Sequence, residues 1–261
     1  MERLRGVLSA AAEQQMEIAV FDVESAALRH HLIDSLPLTQ RVDALVVMGV
    51  ALSDRFANRL LHDQVPTVLV GTCRGGFSSV TADARSGGRL VADYLLAHGH
   101  RRLAWISEAP SAGDDATPPL AMQGRERLAG FCEGLAAAGL DLPAARRLSA
   151  THSVEGGRTA ADQLLGLDEP PTAVFAYDDV LAAGVLKAAR ERRVAVPDAL
   201  AVVGFDDVPF ADPLGLTTVH QPLFEAGRSA LRLLRDRLAD GPHAAVHSVT
   251  TEYRIIARET T

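Results

Sequence analysis

Apolar positions along the chain alternate between two periods, and that alternation predicts its elements. Leu4, Val7, Leu8, Ala11 and Ala12 recur at helical spacing and predict an opening amphipathic helix, after which Ile18-Ala19-Val20-Phe21 reads as a buried strand. A helical stretch around Leu28, Leu32 and Leu36 follows, then the strand Ala44-Leu45-Val46-Val47-Met48. A helix over 56–61 precedes the strand Thr67-Val68-Leu69-Val70. Leu90, Val91, Tyr94 and Leu95 stripe a further helix, closed by Gly99, and Leu103-Ala104-Trp105-Ile106 is the next strand. The cycle then repeats. Leu128, Phe131 and Leu135 mark a helix ending near Gly139, and a helix over 160–165 leads into the strand Ala173-Val174-Phe175-Ala176. Residues 180–190 are helical, 194–197 form a turn, and Leu200-Ala201-Val202-Val203 is a strand running into Gly204-Phe205-Asp206-Asp207. Leu223, Ala230, Leu231, Leu234 and Leu238 stripe the last helix, before strand-like runs at 246–250 and 253–257.

Strands that are continuously apolar, each followed by a helix, imply parallel sheets covered on both faces. Two successive sets of such units predict an α/β fold of two doubly wound lobes. Ligands of such sheets bind beyond the carboxyl ends of the strands, and two facing lobes would form a cleft for one.

Composition narrows the function. The 261 residues are long enough for two lobes, with 48% hydrophobic and 23% charged residues, the balance of an ordinary globular protein. No apolar run approaches the roughly 18 residues that a membrane span requires, and the basic N-terminus lacks the apolar stretch of a signal peptide, so the expected location is the cytoplasm. Cys73 and Cys132 form no metal-type pair, and two isolated cysteines fit a reducing compartment. The net charge of −7 comes with arginines dispersed among carboxylates and one lysine, Lys187, so no clustered basic face for nucleic acid is expected. Arg101-Arg102, Arg146-Arg147 and Arg192-Arg193 read as solvated pairs.

Catalytic signatures are missing: no Walker-type phosphate loop, no nucleophile elbow and no zinc-protease helix. Gly87-Gly88 and Gly156-Gly157 lack dinucleotide-fingerprint spacing and read as helix-start glycines, and the nine histidines form no metal pattern. No metal, cofactor or enzymatic activity is expected.

Seven segments, in order, resemble the LacI/GalR family of transcription regulators. They are Val80-Thr81-Ala82-Asp83 with Gly87-Gly88; Gly99-His100-Arg101-Arg102-Leu103-Ala104; Arg127-Leu128-Ala129-Gly130-Phe131; Pro171-Thr172-Ala173 running to Tyr177-Asp178-Asp179; Val196-Pro197-Asp198 with Val203-Gly204-Phe205-Asp206; Leu216-Thr217-Thr218-Val219-His220-Gln221-Pro222; and Arg258-Glu259-Thr260-Thr261. The resemblance covers nearly the whole chain. It implies a type I periplasmic-binding-protein-like fold, with an N-terminal lobe of residues 1–107 plus 219–247 and a C-terminal lobe of 108–218 plus 248–261. Crossovers are expected near 107–110, 217–219 and 247–249. It also implies a homodimer that senses a small-molecule effector, a sugar or related polyol, in the inter-lobe cleft. Against the family pattern the chain begins in the first helix, so the first strand of the N-terminal lobe and the DNA-binding headpiece are expected to be missing, through truncation or a misplaced start codon. Operator DNA would then be met only through that absent headpiece. Gly215 departs from the family's proline, near its dimer contact.

The resemblance also assigns site residues. Arg127 matches the family's ligand-gripping arginine and Asp206 its ligand-binding aspartate; the alternative for both is an ion pair that ties the lobe together. Asp178 stands where the family often has asparagine. It either favours an amine-bearing or hydroxyl-rich ligand or caps the following helix. His152 falls where an aromatic residue often meets the ligand, or is an ordinary loop histidine. Asp83 resembles a cleft-lining aspartate, although Ala84 replaces the usual asparagine after it. A sugar-binding protein of a transport system shares the fold and is the alternative function.

Overall fold

The computed structural model describes residues 2–21, 42–50, 52–109, 119–241 and 245–261. The helix expected around Leu28 to Leu36 lies outside them. The chain divides into two compact units, Met1–Ala82 with Asp114–Pro119 and Pro222–Thr251, and Asp83–Gly113 with Leu120–Gln221 and Glu252–Thr261.

Unit 1 is built on a parallel sheet of order β1-β2-β3-β9, formed by β1 (Leu45–Met48), β2 (Thr67–Val70), β3 (Ser78–Ala82) and β9 (Ser248–Thr251). Alternation along β2 separates its two faces. Val68 and Val70, with Val80, pack under α1 (Glu2–Glu13) and α7 (Leu223–Asp240) through Val7, Ala10, Ala230 and Leu231. Leu69 faces the other way, into Phe56, Ala57 and Leu60 of α2 (Asp54–His62). Ser53 starts α2 as an N-cap, its hydroxyl accepting from the Phe56 amide at 3.2 Å.

Residues 18–21 do not form the expected strand. They join no sheet, and Ile18, Val20 and Phe21 stay exposed. A strand needs a ladder partner for its backbone groups, and among the described residues β1 pairs only with β2. Leu4, Val7, Ile18, Val46, Leu231 and Leu234 line an apolar cavity of about 550 Å³ in this unit.

Unit 2 carries a six-stranded sheet of order β10-β8-β7-β6-β4-β5. Its strands are β4 (Leu103–Glu108), β5 (Arg147–Ala150), β6 (Ala173–Ala176), β7 (Ala201–Asp206), β8 (Thr217–His220) and β10 (Arg254–Ile256), and β10 alone among the described strands runs antiparallel. The helices are α3 (Ala84–Ala97), α4 (Pro119–Ala137), α5 (Val154–Leu165) and α6 (Asp179–Arg192). Sheet membership changes after Ala82 rather than near 107–110, because β4 pairs with β5 and β6 and so belongs to the second sheet. The other changes fall after Gln221 and Thr251, not near 217–219 and 247–249, since β8 completes its ladder in unit 2 and β9 lies beside β3 in unit 1. The lobe bounds expected from sequence shift accordingly.

An aromatic row crosses the second sheet. Trp105 of β4 is in register with Phe175 of β6, their rings 4.8 Å apart and edge-on, and Phe205 of β7 continues the row. Phe131 of α4 meets Phe175 at 5.3 Å, and Tyr253 meets Phe205 at 5.0 Å, again edge-on. Such pairs add roughly 0.5–1.5 kcal/mol each beyond their burial. They fix α4 over the strand ends that carry the candidate site.

Candidate functional site

Arg127 and Phe131 are four residues apart on α4 and therefore share a helix face. Phe131 is anchored in the aromatic row, which delivers Arg127 to the carboxyl end of β7. Two glycines set the height of the helix. A Cβ on Gly130 would overlap the carbonyl oxygen of Arg85 in α3, and one on Gly88 would overlap the carbonyl oxygen of Arg127 itself. The helix-start glycines expected from sequence thus act within α3 by letting it touch α4 backbone to backbone. Arg85 locks the same pair of helices through its ion pair with Glu133.

Arg127 is only 2% exposed, with its guanidinium carbon 3.6 Å from the centre of the Phe205 ring and 4.8 Å from that of Tyr177. Nη1 donates to the Tyr177 carbonyl oxygen at 2.7 Å, Nη2 lies 3.9 Å from Asp206 Oδ1, and Nε is buried without a hydrogen-bond partner. An aromatic face beneath, a carbonyl on one side and a carboxylate on the other hold the cation in a single orientation.

Asp206 ends β7 with φ of +103°, and Asp207 follows at +56°. Two consecutive non-glycine residues at positive φ store strain of roughly 1–3 kcal/mol each, a cost that surrounding structure must hold in place. Asp207 supplies that hold. Its carboxylate accepts from Arg258 at 2.9 Å and pairs with His220 Nδ1 at 2.8 Å. Burial works to raise the Asp207 carboxyl, but Arg258 and His220 outweigh it and keep it below its usual range.

Asp178 follows β6 and is the N-cap of α6, its Oδ1 accepting from the Leu181 amide at 2.8 Å. Its other oxygen pairs with His152 Nε2. The capping alternative for Asp178 is therefore realised, and His152 is tied to it rather than loose. His152 sits between β5 and the N-cap of α5, Ser153, with its side chain about half exposed. Asp83 stands apart from the other four expected site residues. Its Oδ1 caps α3 by accepting from the Arg85 and Ser86 amides, and no hydrogen bond or ion pair joins it to them.

Sequence reasoning passed over three residues here. Glu108 ends β4, two residues past the apolar run Leu103-Ala104-Trp105-Ile106. Burial raises its carboxyl; His152 opposes this and Asp178 adds to it. Tyr177 is pushed up to about 12 by burial, with Arg127 opposing and Glu108, Asp206 and Asp178 contributing. Asp179, 1% exposed, lies at the start of α6 and accepts from Thr218 Oγ1 at 2.5 Å and from the Val208 amide at 2.9 Å. Burial raises it to about 7, against those two hydrogen bonds and with help from Asp206 and Asp178. The usable signal was positional: Glu108, Tyr177-Asp178 and Asp206 follow or end three neighbouring strands, where parallel sheets place ligands.

Residues 92–261 match the family model described as a periplasmic binding protein-like domain. The HTH-type transcriptional repressor CytR of Escherichia coli (strain K12) is 28% identical over 280 residues, covering 100% of this chain and 74% of that protein. The HTH-type transcriptional regulator GalS of Salmonella typhimurium is 35% identical over 214 residues, covering 80% of this chain and 59% of that one. Among solved structures, the transcriptional regulator CelR in complex with cellobiose matches with a TM-score of 0.83 and 28% identity, over 100% of this chain and 78% of its own.

Proposed function

The chain belongs to the LacI/GalR family of transcription regulators, and from that premise we propose that it is the effector-sensing core of a DNA-binding regulator. Its ligand is a small polar molecule, a sugar or related polyol, bound over the strand ends of unit 2. The observation that carries this reading is Arg127, a buried cation held between the Phe205 ring and Asp206 with an N–H unused. Such a group can grip two ligand oxygens in fixed geometry while Asp206 accepts from adjacent hydroxyls. The cellobiose bound by CelR supports a carbohydrate ligand.

The rest follows from the same premise. The chain works as a homodimer in the cytoplasm and carries out no chemical step on its ligand. Its units are assigned no DNA-reading surface, in keeping with the net charge of −7. No described helix is long and apolar enough to cross a membrane. The relatives named above are regulators, which favours this reading over a transport protein.

A thermal-shift screen of sugars and polyols on the wild type, Arg127→Ala and Asp206→Ala tests the assignment. Hydrogen bonds to charged groups are worth about 1.5–3 kcal/mol, so each variant is expected to weaken the best ligand by about tenfold or more. Unchanged stabilisation in both variants would overturn it.

A further inference from the structure

The charges at the strand ends of unit 2 do not balance, and the imbalance points to a class of ligand. Glu108, Asp178 and Asp206 follow or end β4, β6 and β7, three adjacent strands of one sheet. Among the described residues, the cations that meet them are one arginine and one histidine. Arg127 is committed to Asp206 and the Tyr177 carbonyl, and His152 is committed to Asp178. The Glu108 side chain makes no hydrogen bond or ion pair among the described residues, and the parallel register of β4 with β6, Ile106 opposite Ala176, puts it level with Asp178.

The site therefore has an excess of acceptors and a shortage of donors. An ionised carboxylate only accepts hydrogen bonds. A sugar hydroxyl brings one donor but no charge, and leaves the surplus of carboxylates unbalanced. An ammonium group brings three donors, no acceptor and the missing charge. A metal ion is a poorer answer, because no group of three His, Cys, Asp or Glu among the described residues is arranged to hold one. The Arg127 guanidinium, with Nη2 3.9 Å from Asp206 and Nε without a hydrogen-bond partner, is the oxygen-binding side of the same ligand.

We propose that the ligand carries a protonated amine held by Glu108 and Asp178, with its hydroxyls on Arg127 and Asp206, which makes the effector class an amino sugar or comparable amino-polyol. The inference rests on the sugar-binding reading above and narrows it. Glu108 and Asp178 select the charge; Arg127 and Asp206 supply affinity for the shared skeleton.

The test uses the whole chain and three matched sets of probes: glucosamine and galactosamine, their N-acetyl forms, and glucose and galactose. Affinities are read by thermal shift at a pH that keeps the amines protonated. The expected result is binding of an amino sugar about tenfold or more tighter than its neutral and N-acetylated counterparts. Glu108→Gln, which keeps the shape and removes the charge, is expected to erase that preference, bringing the amino sugar's affinity down to that of its neutral counterpart. Its urea midpoint, followed by Trp105 fluorescence, establishes that the variant folds. Equal or tighter binding of the neutral sugars, an unchanged ratio in Glu108→Gln, or no shift with either amino sugar overturns the inference. Arg127→Ala separates the two readings: weakened binding of whichever sugar is bound supports the site even if the amine preference is absent, and unaffected binding sinks the site itself.

Discussion

Replacing Asp179 by asparagine should change how the stability of unit 2 depends on pH, and the size of the change follows from the side chain's surroundings. Burial raises the carboxyl from an ordinary 3.8 to about 7, even though Thr218 and the Val208 amide donate to it. A carboxyl whose folded-state value lies above its unfolded one binds its proton more tightly when folded. Its contribution to stability is complete below the unfolded value and is lost as pH rises through the folded value. Taken over the whole window, a shift of about three units corresponds to roughly 4 kcal/mol. Between about pH 5 and pH 8 the linkage relation leaves about 2–3 kcal/mol of that to be lost. Asparagine keeps an acceptor oxygen but cannot titrate, so Asp179→Asn should lack this loss. Urea unfolding of both proteins across that range isolates the effect, because their other carboxylates are shared. Trp105 is the chain's one tryptophan and lies fully buried in unit 2, so its fluorescence reports the right transition. The wild type should lose about 2–3 kcal/mol relative to the variant on going from the acid to the alkaline end. Parallel profiles would refute the reasoning and place Asp179 in a far more solvated setting.

Two smaller changes probe what holds the site in place. Gly130→Ala drives a methyl group into the Arg85 carbonyl oxygen and should cost at least about 2 kcal/mol in urea unfolding, since backbone on both sides has no room to yield. Asp178→Ala removes the cap of α6 and should cost about 1 kcal/mol, whereas Asp178→Asn, which can still cap, should lose only a fraction of that.

Much of this architecture is legible in the sequence because its core strands are local apolar runs. Ala173 to Ala176 and Ala201 to Val203 are buried throughout in parallel strands, and burial on both faces leaves them no polar alternation to confuse the reading. Where pairing decides, the sequence is silent or misleading. Ile18 to Phe21 has a strand's composition but no ladder among the described residues. Ser78 to Ala82 and Arg147 to Ala150 look too polar to be strands, yet neighbouring strands recruit both. The lobe bounds slipped for the same reason, since the partners of β4 are far from it in sequence.

The candidate site divides along similar lines. Arg127, Asp206 and Asp178 were reachable from the resemblance. For each, the structural and the ligand roles turn out compatible: Arg127 pairs with Asp206 at 3.9 Å and still holds Nε free of hydrogen bonds, and Asp178 caps α6 through one oxygen while meeting His152 with the other. Glu108 was not reachable, because nothing in Ile106-Ser107-Glu108 says that the strand continues until the sheet register carries it there. The positive φ at Asp206 and Asp207 is likewise a tertiary result, enforced by Arg258 and His220 from β8 and the C-terminal segment.

Hydrogen exchange read by mass spectrometry, with and without the best ligand from the sugar screen, tests the central claim most directly. Binding over the strand ends of unit 2 predicts added protection around Glu108, His152, Tyr177-Asp178 and Asp206-Asp207. Protection confined to unit 1, around the cavity lined by Leu4, Val46 and Leu231, would contradict the account.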